Sequence, residues 1–157
     1  MRYKITIEYD GTSLLGWQEQ LDGPSVQNYL QKALSCFTPL EETNDAPLSN
    51  EEYEDAGTGR RLQKTDKIIV SGAGRTDAGV HATAQVAHFD LKEDLVDWKL
   101  REAINARLRE MEAPVSVIAV EKVGNDFHAR FSARGRGYLY RILNRRAPAV
   151  LEKNRVW

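Results

Sequence analysis

A chain of 157 residues, 41% of them apolar, has the size and composition of one globular domain with a real core, and is too short for two comfortable ones. Its single cysteine, Cys36, excludes an internal disulfide and a thiolate metal cluster, and no segment approaches the roughly 18 apolar residues of a membrane span. The net charge of −1 conceals two opposed blocks: seven acids and no Lys or Arg from Glu41 to Gly59, then eight bases against one acid from Phe127 to Trp157.

Met1-Arg2-Tyr3-Lys4 runs straight into a strand with no hydrophobic signal region, which together with the lone cysteine fits a reducing compartment, the cytoplasm. Tyr3, Ile5, Ile7 and Tyr9 alternate with Lys4, Thr6 and Glu8, the period of a half-buried strand, and Asp10-Gly11 ends it. Ser25, after Pro24, reads as a helix cap. Val26, Tyr29, Leu30, Ala33, Leu34 and Phe37 then recur at helical spacing and make one apolar face; Cys36 falls on that face and is expected to be buried. Leu40 to Asp66 has no useful period and is rich in acids, Asn, Gly and Thr. Its composition predicts a mobile acidic insertion, with a short acidic helix over Asn50–Ala56 as the other reading.

Lys67–Ser71 and Gln85–Phe89 read as strands, and Asp97–Leu108 as a helix with Leu100, Ala103, Ile104 and Leu108 inward. Val115–Glu121 and Gly137–Leu143 are further strands, the last alternating Tyr138, Tyr140 and Ile142 against Leu139, Arg141 and Leu143. The order β-α-β-β-α-β plus an extra strand predicts a single α+β domain, a mainly antiparallel sheet with helices on one face.

Between the second and third strands lies Gly72-Ala73-Gly74-Arg75-Thr76-Asp77-Ala78-Gly79-Val80-His81-Ala82. Glycines permit a left-handed backbone and close approach of a ligand, so this loop can present Arg75 and Asp77 outward. Gly72-Ala73-Gly74 is a fragment of a dinucleotide fingerprint, but Asp77 stands where the third glycine is due and would repel a pyrophosphate; no nucleotide cofactor is expected. His81, His88 and His128, even with Asp90 or Asp126, lack metal-ligand spacing, so they are assigned structural or RNA-facing roles and no metal is expected. Ser71 has no nucleophile-elbow context. A lone carboxylate beside an arginine can act as a nucleophile, and without a second carboxylate it does not fit paired acid–base hydrolysis. The same residues read equally well as a turn salt bridge between Arg75 and Asp77, and spacing alone leaves both open.

Arg136-Gly137-Tyr138-Leu139-Tyr140 echoes the aromatic strand of RNA-recognition modules, where rings stack on bases and arginines hold phosphates. A packed strand tyrosine is the competing reading. Charge alone leaves a polyanion-binding face and a solvated basic surface equally open; the place of these tyrosines inside the basic block favours the first.

The run Gly74-Arg75-Thr76-Asp77-Ala78-Gly79-Val80-His81-Ala82 resembles, nearly letter for letter, the catalytic motif of the bacterial tRNA pseudouridine synthase A family. Tyr9-Asp10-Gly11-Thr12 with Gly16-Trp17-Gln18, Ser25-Val26-Gln27, Gln85-Val86-Ala87-His88-Phe89, Asp126-Phe127-His128-Ala129-Arg130-Phe131-Ser132-Ala133 and Tyr138-Leu139-Tyr140-Arg141-Ile142 are similar to the same family. They occur in the same order and cover most of the chain outside Leu40–Asp66. The resemblance implies isomerisation of uridine to pseudouridine in the anticodon stem-loop of tRNA, without cofactor or metal. It implies Asp77 as nucleophile, Arg75 as the arginine that pairs with it and helps hold the target base out of the helix, and Tyr138 as the ring that stacks on the uracil. Arg130, Arg134, Arg136 and Arg141 would grip the RNA backbone. The implied fold is the pseudouridine-synthase α+β sandwich of two ferredoxin-like halves, RNA-recognition-like in its strand order, and the implied assembly is a homodimer.

The chain departs from that pattern in the longer Leu40–Asp66 link and in Arg109–Pro114, where a short Leu-Pro turn is usual. It also stops at Trp157, where the family continues into a second half. The expectation is therefore an N-terminal half of the family fold. The alternative is an RNA-binding module of the same fold that does no chemistry.

Overall fold

The computed structural model describes residues 1–37 and 67–157 in full and, between them, the backbone of 52–54 and 61–63. In chain order the elements are β1 (Arg2–Tyr9), α1 (Val26–Leu34), β2 (Glu52–Glu54), β3 (Arg61–Gln63), β4 (Ser71–Gly72), β5 (Ala82–Asp90), α2 (Asp97–Glu110) and β6 (Val115–Val123). β4, β5, β1 and β6 lie side by side in that order, every pair antiparallel. This is the α+β arrangement the sequence pattern predicts.

The period-2 pattern of β1 decides which way the sheet faces. Tyr3, Ile5, Ile7 and Tyr9 are buried, with Ala87 and Val120 opposite Ile5, and Phe89 opposite Tyr3. The Tyr3 and Phe89 rings stack with centroids 5.9 Å apart. Val26, Leu30, Ala33 and Leu34 of α1, and Leu100, Ile104 and Leu108 of α2, close over this face in one continuous core. Each such aliphatic or aromatic side chain taken from water contributes about 1.5–3 kcal/mol. The opposite face carries Arg2, Lys4, Thr6, Val86, His88 and Asp90, residues that share ladder positions with one another. Arg2 and Asp90 pair there through two hydrogen bonds, at 2.8 and 2.7 Å.

Ser25 caps α1 as expected, its Oγ accepting from the Asn28 N–H at 3.2 Å. α2 starts at Val96 without a side-chain cap, and its anchorage comes instead from packing and from Asn105. The β1–β6 register slips between Thr6 and Ile7, where Ile118 is the extra residue on β6, a β-bulge that disturbs the ladder locally. Asn105 repairs it: its Nδ2 donates to the Val117 carbonyl and its Oδ1 accepts from the Val117 N–H, both at 2.9 Å.

Four expectations need correction. α1 ends at Leu34 with Ser35 as its C-cap, so the helical phase never reaches Cys36, which is exposed. Lys67–Ser71 is not a continuous strand: only Ser71 and Gly72 pair with β5, although Ile68 and Val70 are still buried. Within Leu40–Asp66, Glu52–Glu54 and Arg61–Gln63 pair with each other as an antiparallel ladder, a strand where the acidic helix over Asn50–Ala56 is the other reading; the rest of the expected insertion lies outside the described residues. Gly137–Leu143 forms no strand. Its alternation is real in sequence, but a strand needs a hydrogen-bonding neighbour along its length, and the long-range backbone bonds of this segment among the described residues go to Trp157, through Leu143 N–H to Trp157 O at 2.8 Å and Trp157 N–H to Arg141 O at 2.9 Å. Among the described residues no helix is long and apolar enough to cross a membrane.

Asn105→Ala leaves both backbone groups of Val117 without their partners and should lower stability by about 1–3 kcal/mol, read as a lower urea midpoint. An unchanged midpoint would remove Asn105 from the support of the bulge.

Candidate active site

The loop that follows β4 is held from below by main-chain contacts. Ala73 N–H donates to Val86 O at 2.7 Å and Trp17 N–H to Thr76 O at 2.9 Å. Gln85 Nε2 donates to Gly74 O at 2.8 Å, and the Tyr9 hydroxyl bonds Thr76 Oγ1 at 2.8 Å. The floor is aromatic: Trp17, 3% exposed, tilts against Tyr9 with centroids 6.5 Å apart. Its indole lies 2.5 Å from where a Cβ on Gly72 would sit, so only glycine lets the strand end lie flat on that ring. Gly16 is the second obligatory glycine. Its φ of +100° and a would-be Cβ only 2.4 Å from Thr76 O show that the two backbones run in contact there.

Anchored in this way, the loop turns the side chains of Arg75 and Asp77 outward, and both are exposed. They border an open pocket of about 450 Å³ whose other walls are Leu15, Gln18, Gln20, Thr76 and Ala78. Neither the Asp77 carboxylate nor the Arg75 guanidinium has a hydrogen-bond or ion-pair partner among the described residues. The turn salt bridge is therefore absent, and the carboxylate stands free at the pocket.

The basic block is less uniform than its sequence. Arg136 bends back to the loop, donating to Ala73 O from Nε at 3.2 Å and from its terminal nitrogen at 2.8 Å, and to Arg130 O at 3.0 Å. Arg141 pairs with Glu152 at 2.6 Å. The Arg130 head lies 5.8 Å from the Phe131 ring centroid, and Arg134 is exposed. Tyr138, 67% exposed, follows Arg136 by two residues. The structure thus brings Asp77, Arg75 and Arg136 to one region, with Tyr138 two residues beyond, and directs Arg141 elsewhere.

Two histidine-linked contacts tie the loop to neighbouring segments. His81 Nδ1 accepts from the Gly11 N–H at 3.1 Å, and its Nε2 lies 2.7 Å from Asn154 O. Gly11 also touches the loop, since a Cβ there would fall 2.1 Å from Val80 O. Among the described residues no group of three or more His, Cys, Asp or Glu side chains could hold a metal ion.

Burial pushes the Tyr9 phenol above its ordinary value, against the lowering effect of its bonds to Thr76 and Gln85. Burial also works to raise the Glu19 carboxyl, but bonds from Lys67, Gln31 and Asn28 outweigh it and hold it below the usual range. The stability Glu19 contributes is present above the ordinary carboxylate value and is lost as pH falls through its lowered one. That cluster fixes the Gln18–Gln20 wall of the pocket onto α1. Gln18 and Gln20 were not singled out by spacing or charge. The signal available for them was their position just after Gly16, the residue that brings their segment against the loop.

The family model for tRNA pseudouridine synthase matches residues 5–132. The chain is 47% identical over 156 residues to the tRNA pseudouridine synthase A of Maricaulis maris, covering 99% of this chain and 51% of that protein. It is 46% identical to the protein of the same name from Mesorhizobium japonicum and 47% identical to that from Rhodospirillum centenum, covering 52% of each. It spans about half the length of the curated relatives it matches.

Gly16→Ala forces a side chain onto Thr76 O in a left-handed backbone and should cost roughly 1–3 kcal/mol, seen as a lower midpoint in denaturant. Parent-like stability would mean that the 16–17 and 76–77 backbones are not in contact.

Proposed function

The chain belongs to the tRNA pseudouridine synthase family, and we propose that its protein isomerises uridine to pseudouridine in the anticodon stem-loop of tRNA, with Asp77 as the nucleophile. The observation that carries this reading is the free Asp77 carboxylate on a loop clamped by its own main chain, at the mouth of an open pocket of about 450 Å³. A nucleophile that must reach a base or sugar atom has to be fixed in place yet unpaired, and a backbone-anchored loop provides both.

A uridine within a stem hides its glycosidic bond, so the base must leave the stack at a cost of a few kcal/mol. Arg75, two residues from Asp77 on the same wall, is placed to occupy the vacated position or to hold a phosphate beside it. The exposed Tyr138 ring offers a face on which the flipped uracil can stack, an interaction worth about 1–3 kcal/mol per base. The carboxylate then attacks either uracil C6 or the sugar C1′. The N1–C1′ bond breaks, the base turns, a C5–C1′ bond forms, and the bond made by Asp77 breaks to return its carboxylate. The C5 proton is lost and N1 gains one, so atoms balance without a co-reactant.

Of the four arginines expected to hold RNA, Arg134 is the exposed one with no partner among the described residues. Arg136 is engaged by the loop itself, which makes it a support for the site and not a free phosphate ligand.

In the full-length protein, Asp77→Asn should abolish pseudouridine formation in tRNA, mapped by chemical sequencing, while tRNA binding persists, because the change removes the nucleophile and leaves the phosphate contacts. Product from Asp77→Asn would overturn the assignment; a gel shift with no product from the parent would favour a binding module of the same fold. Arg134→Ala should weaken tRNA binding and reduce the slope of log Kd against log salt by about one; an unaltered slope would take Arg134 out of the RNA interface.

A further inference from the structure

We propose that His88 is a positioning residue: standing across the ladder from Ser71 of β4 and holding the Ala129 amide of the segment after β6 through Nδ1, it sets the arm that carries Arg136 and Tyr138 against the Asp77 loop. The proposal rests on the functional reading above and adds to it a residue that does not touch the pocket.

His88 is 5% exposed and lies on the sheet face opposite the helices, directly across from Ser71 in the β4–β5 ladder. Its Nδ1 accepts a buried hydrogen bond from the Ala129 N–H at 3.2 Å. Ala129 is itself 2% exposed. The His128 ring meets His88 edge-on with centroids 4.6 Å apart, Phe127 does so at 6.1 Å, and Phe131 packs on His128 at 4.4 Å. The segment is also closed on itself, with Ser132 N–H donating to His128 O at 2.7 Å. Arg2 adds a second fastener, donating to Asn125 O at 2.6 Å and to Phe127 O at 2.8 Å.

From Ala129 the connection continues to the site. Arg130 O accepts from Arg136, and Arg136 donates to Ala73 O. Ala73 is two residues beyond Ser71. The path Ser71, His88, Ala129, Arg130, Arg136, Ala73 is therefore a closed circuit around the base of the loop, with Tyr138 two residues past its last side chain. Remove His88 and the circuit opens at its most buried bond.

The chemistry requires an imidazole in one state. Nδ1 must accept from a backbone N–H, which a neutral ring with its proton on Nε2 does. Burial, then the charges of Arg2 and His128, keep the ring neutral to a lower pH than usual, against the opposing effect of Asp90. Lys4, across the β1–β5 ladder from His88, is engaged by Glu121 at 2.8 Å. Protonation removes the acceptor for Ala129. The unfolded chain binds this proton first, so the stability His88 contributes is full above the ordinary histidine value and is lost as pH falls through the lowered one.

The test uses the full-length protein with tRNA. His88→Leu removes the bond to Ala129; His88→Asn keeps an acceptor where Nδ1 stood. In His88→Leu the Ala129 amide should lose its protection from hydrogen exchange and kcat should fall on the order of 10²-fold, with KM for tRNA little changed. His88→Asn should restore both, and should lack the acid limb that His88 gives the parent's kcat profile. An Ala129 amide that stays protected in His88→Leu, or a parent-like kcat in that variant, overturns the proposal. Should His88→Leu not fold, an acid limb in His88→Asn identical to the parent's overturns it instead. A parent that makes no pseudouridine defeats the functional reading separately, because Ala129 exchange still reports whether the circuit depends on His88.

Discussion

The backbones of Gly16–Trp17 and Thr76–Asp77 touch, and the geometry of the site depends on that contact. With a φ of +100° at Gly16 and a hydrogen bond from Trp17 N–H to Thr76 O, two loops far apart in sequence become one surface. The indole of Trp17 then lies under Gly72 and beside Tyr9, and Tyr9 reaches Thr76. Each contact fixes the loop through main-chain atoms or through Thr76, and none uses Arg75 or Asp77. That division has a chemical reason. A carboxylate positioned by ion pairs would have to give them up before it could react, whereas one positioned by its backbone meets its substrate without prior rearrangement.

The sheet separates the two tasks that such a site needs done. Because strand side chains alternate, Tyr3, Ile5, Ile7 and Phe89 build the core on one face, and Arg2, His88 and Asp90 are left for the other. Among the described residues no helix covers the second face. It holds the 125–131 segment by directed bonds from Arg2 and His88 to backbone groups, an arrangement that fixes direction more than it contributes stability. The core supplies the stability and the polar face supplies the register of the arm.

The sequence pattern was readable wherever one local rule was sufficient. Alternation over Tyr3–Tyr9, helical spacing over Val26–Leu34, the Ser25 cap and the glycines around Asp77 each depend on neighbours within a few residues. Gly137–Leu143 failed for the converse reason: alternation reports which way side chains point, and whether a strand forms depends on a partner elsewhere. Cys36 failed because a helical period says nothing about where the helix stops. Charge had the same limit. Arg136 and Arg141 read alike as members of a basic block, yet one is bound to a loop carbonyl 63 residues away and the other to Glu152. His88, set aside for want of a metal-ligand spacing, is tied to the arm only once the fold brings the Ala129 amide, 41 residues away, to its Nδ1.

The pairing of Arg75 with Asp77 is where spacing and structure part most usefully. Two residues apart on a turn, they were equally readable as a salt bridge or as separate tools, and an exposed pair of that kind is worth only about 0–1 kcal/mol. So small a gain cannot hold two side chains against other demands on them. The loop has no need of it, because Thr76, which lies between them, is already bonded through both its carbonyl and its hydroxyl. With the intervening residue fixed, neighbours on either side are carried outward by the backbone, and both charges are left for a ligand. On the proposed function, an RNA substrate would offer what each lacks, a phosphate for the guanidinium and an electrophilic carbon for the carboxylate. The weakness of their mutual attraction is what would let the same ligand satisfy both charges.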